Sequence, residues 1–308
     1  MTPVIANDIV VLDIGGTRIR IGHVRNAILS GKFEILQTET LRVSDARQHL
    51  LKHIESYVGQ HQLNLKGAVL GLPAAIDREH DNITHCNNIP QLQGHGLKVY
   101  LSSRLGCEVF FEQDIMLQVL GEWQAGAAQG QNSIFGVYFG TGIGAAYLLN
   151  GDPDNKLLQD IQAGHIPIMA NGKKCVCGNT DCVEAYACGH TLTYLAEKYN
   201  CPIDQLFVKS RQSDADIRLG DELDRFVLYQ AYMLATISTL FQPAVLLVGG
   251  GIPQMQGYPR EDLITKTRNH LQKPIPADTV TFVWASLDAQ APLHGAIALL
   301  EQAEHSFS

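Results

Sequence analysis

Four cysteines of this 308-residue chain crowd into one stretch: Cys175, Cys177, Cys182 and Cys188, with His165 upstream and His190 just downstream. Thiolates and imidazole so spaced are the donor set of a closed tetrahedral zinc site, and soft sulfur disfavours magnesium and calcium. Cys175, Cys177 and Cys182 supply three ligands. On spacing alone the fourth is His165, Cys188 or His190. Four protein ligands leave no open position, so a structural Zn²⁺ is expected, pinning a loop too polar to hold itself by packing. Cys86, Cys107 and Cys201 are scattered and read as small hydrophobes. An odd total of seven cysteines, with no basic n-region in the first 16 residues, argues against export and a disulfide framework.

A second kind of chemistry sits in glycine turns. Asp13-Ile14-Gly15-Gly16-Thr17 closes the apolar run Ile9–Leu12, and Gly140-Thr141-Gly142-Ile143-Gly144 closes the run Ile134–Phe139. Val248-Gly249-Gly250-Gly251 closes a third. Such turns bring backbone N–H groups close to an anion, and a threonine hydroxyl adds a donor. Asp13 beside an anion site implies a bridging cation, Mg²⁺ being the usual one. The P-loop pattern G-x-x-x-x-G-K-[ST] is absent. Gly140 to Ala145 fits the loose G-x-G-x-x-[GA] fingerprint of dinucleotide folds, but Asn150-Gly151 interrupts before a full helix, which argues against an oxidoreductase.

The elements that must carry these residues alternate. Strands are expected at Ile9–Leu12, Ile19–Val24, Ala68–Leu72, Val109–Phe111, Ile134–Phe139, Ala145–Leu149 and Ala244–Val248. Helices are expected at 45–60, from Asp114 to Gly126, and at 222–241, 259–272 and 292–303. This is an α/β chain. Hydrophobic residues make up 45% and charged residues 18%, as in a packed protein, and no stretch approaches a membrane span. A net charge of -8 excludes a general nucleic-acid binder but permits a nucleotide ligand.

Together the three glycine motifs and the His165, Cys175-Val176-Cys177-Gly178, Cys182-Val183-Glu184 pattern resemble the ROK sugar kinases over nearly the whole chain. Tyr258 to Leu263 resembles the bacterial D-allose kinases within that family. The resemblance implies the actin-like, ribonuclease-H-like ATPase fold, two α/β domains around a cleft. Residues 1–115 with a C-terminal helix at about 292–308 would form the small domain, and 116–291 the large one with the zinc loop. It implies ATP-dependent phosphorylation of a hexose, at the 6-hydroxyl, by a cytoplasmic homodimer. Asp13, Gly15, Gly16, Thr17, Gly140, Thr141 and Gly142 would hold Mg-ATP phosphates, and Gly249, Gly250 and Gly251 would lie by the adenosine. His165 becomes the fourth zinc ligand. Asp114, on the residues alone a helix cap, becomes the general base that takes the sugar hydroxyl's proton. Asn88, Gln113, Gln162, His165 and Glu184 become sugar contacts.

The chain departs from that pattern at three places. Gln113 precedes the base where the family has Asn, and Gln162 stands where it has Glu. Gln162 keeps an oxygen but loses the charge, exchanging a bond worth about 1.5–3 kcal/mol for one worth about 0.5–1.5. Residues 152–161 lack the glycines of the family pattern, which implies a differently shaped loop. Both glutamines motivate a second reading, a sugar sensor that kept the fold without turnover.

Overall fold

The run Ile9–Leu12 lies within β1 (Asp8–Ile14), and the chain returns antiparallel as β2 (Arg18–Arg25). The computed structural model describes residues 7–306 apart from 27, 30–32, 78–79, 87, 154–160 and 213–215. The expected reshaping of the loop at 152–161 therefore falls mostly outside the described residues. β3 (Ile28–Leu29) and β4 (Glu34–Gln37) pair with β2. Helix α1 (Ala46–Gln60) buries Leu50, Leu51, Ile54 and Tyr57 and leads to β5 (Leu65–Leu72), parallel to β1. The continuous apolar runs of β1 and β5 suit strands covered on both faces.

A small antiparallel sheet of β6 (Ala75–Asp77), β7 (Asn82–His85) and β8 (Gly94–His95) follows. Helix α2 (Leu97–Leu105) then leads to β9 (Glu108–Gln113), parallel to β5. Helix α3 (Asp114–Ala125) starts at the next residue. The C-terminal helix, Ala291–Ser306, packs along α3. Their backbones meet at Gly121 and Gly295, where an added Cβ would stand 2.0 Å from a carbonyl oxygen of the other helix.

The second unit repeats the pattern. β10 (Ser133–Phe139) and β11 (Ile143–Leu149) form an antiparallel hairpin. Short α4 (Glu184–Ala187), α5 (Gly189–Lys198) and α6 (Leu206–Lys209) precede the long α7 (Ile217–Phe241). Asp216 caps α7 by accepting from the Arg218 amide, which sets its start five residues ahead of the expected 222. β12 (Val245–Gly249) pairs parallel with β10; after α8 (Arg260–Asn269), β13 (Thr281–Trp284) pairs parallel with β12. Each unit thus holds a hairpin whose first strand is followed by two parallel strands, and each has its own apolar core.

The units are residues 1–129 with 287–308, and residues 130–286. The expected divisions at 115/116 and 291/292 differ from this because α3 packs on the C-terminal helix and stays with the first unit. Glu122, fully buried on α3, accepts from the Ala127 amide through Oε2 and from the Leu287 amide through Oε1, both at 2.8 Å. One carboxylate therefore holds the chain beside both points where it leaves and rejoins the first unit. Among the described residues no helix is long and apolar enough to cross a membrane.

Candidate active site

In the first unit the chemistry gathers at the carboxyl ends of the parallel strands, the usual place for ligands in α/β sheets. Asp13 of β1 is in register with Gly71 of β5, and Gly71 with Glu112 of β9. The middle position carries no side chain, and Asp114 opens α3 two residues beyond Glu112. The Asp114 Oδ1 accepts from the Ile115 amide at 2.9 Å. Burial first, then the negative charge of Asp13, pushes its carboxyl up to about 8. As a residue Asp114 is only partly buried.

Asp13 is buried, and burial raises its own carboxyl despite Arg20, whose Nη1 donates to Oδ2 at 2.6 Å. Sequence reasoning missed Arg20. The hairpin register offered a signal, since a turn closing between Ile14 and Ile19 puts Asp13 opposite Arg20. Gly15, Gly16 and Thr17 form that turn, closed by Gly15 N–H to Arg18 C=O at 2.9 Å. Asn88 is brought to it: an added Cβ on Gly16 would stand 3.2 Å from the Asn88 amide nitrogen. Gln113 occupies the position before α3 with extended backbone, and its N–H donates to the Glu112 carboxylate.

In the second unit Gly140, Thr141 and Gly142 turn the β10–β11 hairpin, with Gly140 N–H bonded to Gly142 C=O at 2.9 Å. Glu184, first residue of α4, accepts from the Ile143 amide through Oε2 at 2.8 Å, while its Oε1 lies 4.0 Å from the Cys175 sulfur. This glutamate therefore joins the second glycine turn to the cysteine cluster. Gly189 N–H, at the start of α5, donates to Gly140 C=O at 2.8 Å.

His165, Cys175, Cys177 and Cys182 place their donor atoms within 4.8 Å of one another; Cys188 is buried outside the group. The Cys177 and Cys182 sulfurs are 3.7 Å apart, as are the Cys175 sulfur and His165 Nδ1. A tetrahedral ion with Zn–S and Zn–N lengths of 2.3 and 2.0–2.1 Å spaces its ligand atoms about 3.5–3.8 Å apart; these two pairs match that spacing, and the donor set fits zinc in kind. His165 Nδ1 faces the Cys175 sulfur; were it to ligate a zinc ion, Nε2 would be the ring nitrogen left to donate elsewhere. Burial, with the neighbouring thiols, pushes the Cys182 thiol up to about 12.

The loop around these ligands is organised by Asp181, which sequence reasoning also missed. It is buried with φ +61, and its carboxylate accepts from the Gly172 and Lys173 amides and the Tyr186 hydroxyl. The third glycine run divides. Gly249 and Gly250 are pressed against the end of β10, where added Cβ atoms would meet the Tyr138 ring at 2.5 Å and the Phe139 carbonyl oxygen at 2.3 Å. Packing alone demands those two glycines. Gly251 meets nothing within 4 Å and is exposed. Gln162 is exposed just ahead of the turn carrying His165, whose N–H donates to the Gln162 carbonyl at 2.9 Å.

The ROK family model matches residues 9–303, and the chain belongs to the ROK family. It is 29% identical over 263 residues to a glucokinase of Thermotoga maritima, covering 78% of this chain and 81% of that one. It is 28% identical over 262 residues to an N-acetyl-D-glucosamine kinase of Photobacterium profundum, covering 79% and 84%. Among solved structures, a ROK hexokinase from Thermus thermophilus superposes with a TM-score of 0.76 at 26% identity, over 96% of this chain and 99% of that one. A ROK family glucokinase from Streptomyces griseus, solved with glucose and AMPPNP, shares the fold at TM-score 0.78 and 22% identity, over 96% and 98%. The fold is accordingly the actin-like ATPase fold of that family.

Proposed function

We propose that this protein is an ATP-dependent sugar kinase that phosphorylates a hexose, with Asp114 as general base. The observation that carries the reading is Asp114 itself. It is a partly buried residue whose carboxyl is raised to about 8, set at strand ends beside Asp13 and the first glycine turn. Phosphoryl transfer needs little covalent help from the protein; it needs positioning, charge neutralisation and a proton acceptor at the attacking hydroxyl. Asp114 takes the sugar hydroxyl's proton as that oxygen bonds to the γ-phosphorus, and the bond to the ADP oxygen breaks. Backbone N–H groups of Gly16 and Thr17 and of Thr141 and Gly142 hold phosphate oxygens, with the hydroxyls of Thr17 and Thr141, while the Gly15 and Gly140 N–H groups close their own turns. Gly251 borders the adenosine, and Gly249 and Gly250 shape the turn beneath it. When bound, Mg²⁺ neutralises phosphate charge, and Asp13 is the carboxylate in place to hold it directly or through water.

Asn88, Gln113, Gln162, Glu184 and the Nε2 of His165 are the proposed sugar contacts. Zn²⁺ on His165, Cys175, Cys177 and Cys182 has a structural role, since no ligand position remains open. The relatives named for glucose and N-acetylglucosamine support an aldohexose, and the Tyr258–Leu263 resemblance favours an allose-type sugar phosphorylated at the 6-hydroxyl. A cytoplasmic homodimer accompanies the resemblance. An ADP-release assay over allose, glucose, mannose, N-acetylmannosamine, N-acetylglucosamine and fructose tests the proposal. Turnover with at least one is expected. Sugar binding by calorimetry without turnover of any would replace the kinase with the sensor that Gln113 and Gln162 suggest.

A further inference from the structure

The backbone carbonyls of the first glycine turn are all engaged by one short segment. A single 3-10 turn, Thr38–Leu41, follows β4. Thr38 Oγ1 donates to Gly15 C=O at 2.8 Å, Thr38 N–H donates to Thr17 C=O at 3.1 Å, and Arg42 Nη2 donates to Gly16 C=O at 2.8 Å. Thr38 is fully buried. In a trans peptide the C=O of one residue and the N–H of the next point in opposite directions. Carbonyls held toward residues 38–42 therefore turn the N–H groups of Gly16, Thr17 and Arg18 away from that segment. A turn so fixed offers donors to an anion and keeps its carbonyl oxygens from repelling it.

Arg42 does more than brace the turn. Its Nε donates to the Asn88 carbonyl at 2.9 Å and its Nη1 to the Glu39 carboxylate at 2.5 Å. One rigid guanidinium thus spans Gly16 and Asn88, the residue whose side-chain amide already lies against Gly16. The planar fork makes this possible; a lysine amine has no second arm fixed at that spacing.

We propose that Arg42 is a positioning residue coupling nucleotide binding at the first glycine turn to sugar binding at Asn88, with Thr38 fixing the turn's anion-binding face. The inference rests on the kinase reading above. Ordering the turn around phosphate orders Asn88 through the shared guanidinium, so each ligand tightens the other by the same factor.

The test is calorimetry with D-allose, D-glucose and N-acetyl-D-glucosamine, each with and without saturating Mg²⁺ and AMP-PNP. In the wild type, sugar affinity should rise about fivefold or more with the nucleotide, the lower end of ordinary coupling. R42Q and R42K should bring that ratio to about one, with nucleotide-free sugar affinity within about threefold of wild type. A merely structural role would weaken both affinities and leave the ratio alone. R42K preserves the charge beside Glu39, so a preserved ratio there overturns the double bridge. A preserved ratio in R42Q, or its absence in the wild type, overturns the proposal. Failure of AMP-PNP to bind the wild type at all overturns the kinase reading instead. Arg42 is partly exposed, so both variants should fold; a thermal melt alongside verifies it.

Discussion

Asp114 should make the reaction sensitive to pH where an ordinary aspartate would not. Burial, and then the Asp13 carboxylate, carry its carboxyl from 3.8 to about 8. Only the ionised form accepts a proton, so the free enzyme at pH 6 should hold about one hundredth of its base in the active form. With both substrates well below saturation, the ADP-release rate should rise about tenfold per pH unit up to about 8 and then level off. The same shift acts on stability with the opposite sign. A raised carboxyl favours the folded state while protonated; that contribution is complete below about 4 and is lost as pH rises through about 8. The melting temperature of the ligand-free protein should fall from pH 5 to 9, and D114N should flatten that slope. A rate profile flat between pH 6 and 9 would refute the argument, because it would mean that the carboxyl titrates like one in water.

Four other outcomes follow from the geometry. D114N should lower kcat about 10²- to 10⁴-fold while leaving the sugar dissociation constant within a few-fold, measured by calorimetry beside the rate assay. Elemental analysis should find one zinc per chain, and C182S should lose it with a lower melting temperature. E122A would remove the buried carboxylate that accepts from the Ala127 and Leu287 amides, at most about 1.5–3 kcal/mol for each hydrogen bond to a charged group, read as a reduced denaturation midpoint. Q162E should lower the sugar KM up to about tenfold, the gain from restoring a charged acceptor; an unchanged KM would remove Gln162 from the sugar contacts.

Much of this fold was legible because its strands are apolar runs closed by glycine. β1, β2, β5, β9, β10, β11 and β12 lie where runs such as Ile9–Leu12 and Ile134–Phe139 put them. Helix α2 left no pattern to read, since only Leu97 and Leu101 are buried in it. β3, β4 and the small β6–β8 sheet are too short for a period to emerge. At the site, the cysteines declared themselves by spacing, and the structure separated His165 from Cys188 by distance. Arg42, Thr38 and Asp181 were illegible for a different reason. Their partners are backbone groups 23 to 46 residues away, or across an irregular loop, and backbone hydrogen bonding imposes no residue type at the far end. Gly249 and Gly250 show the converse: a motif that reads as ligand binding is also what close packing on β10 requires.

The Glu122 carboxylate has a bearing on how such a chain can be cut and rejoined. Its two oxygens grip amides from residues far apart in sequence, so Ala127 and Leu287 lie within about 8 Å of each other, a gap about three residues can bridge. Residues 130–286 are in effect an insertion into an almost closed loop. A short glycine joint from Ala127 to Leu287 should therefore preserve the seam between α3 and the C-terminal helix, making the smaller unit a candidate for expression as a free-standing domain.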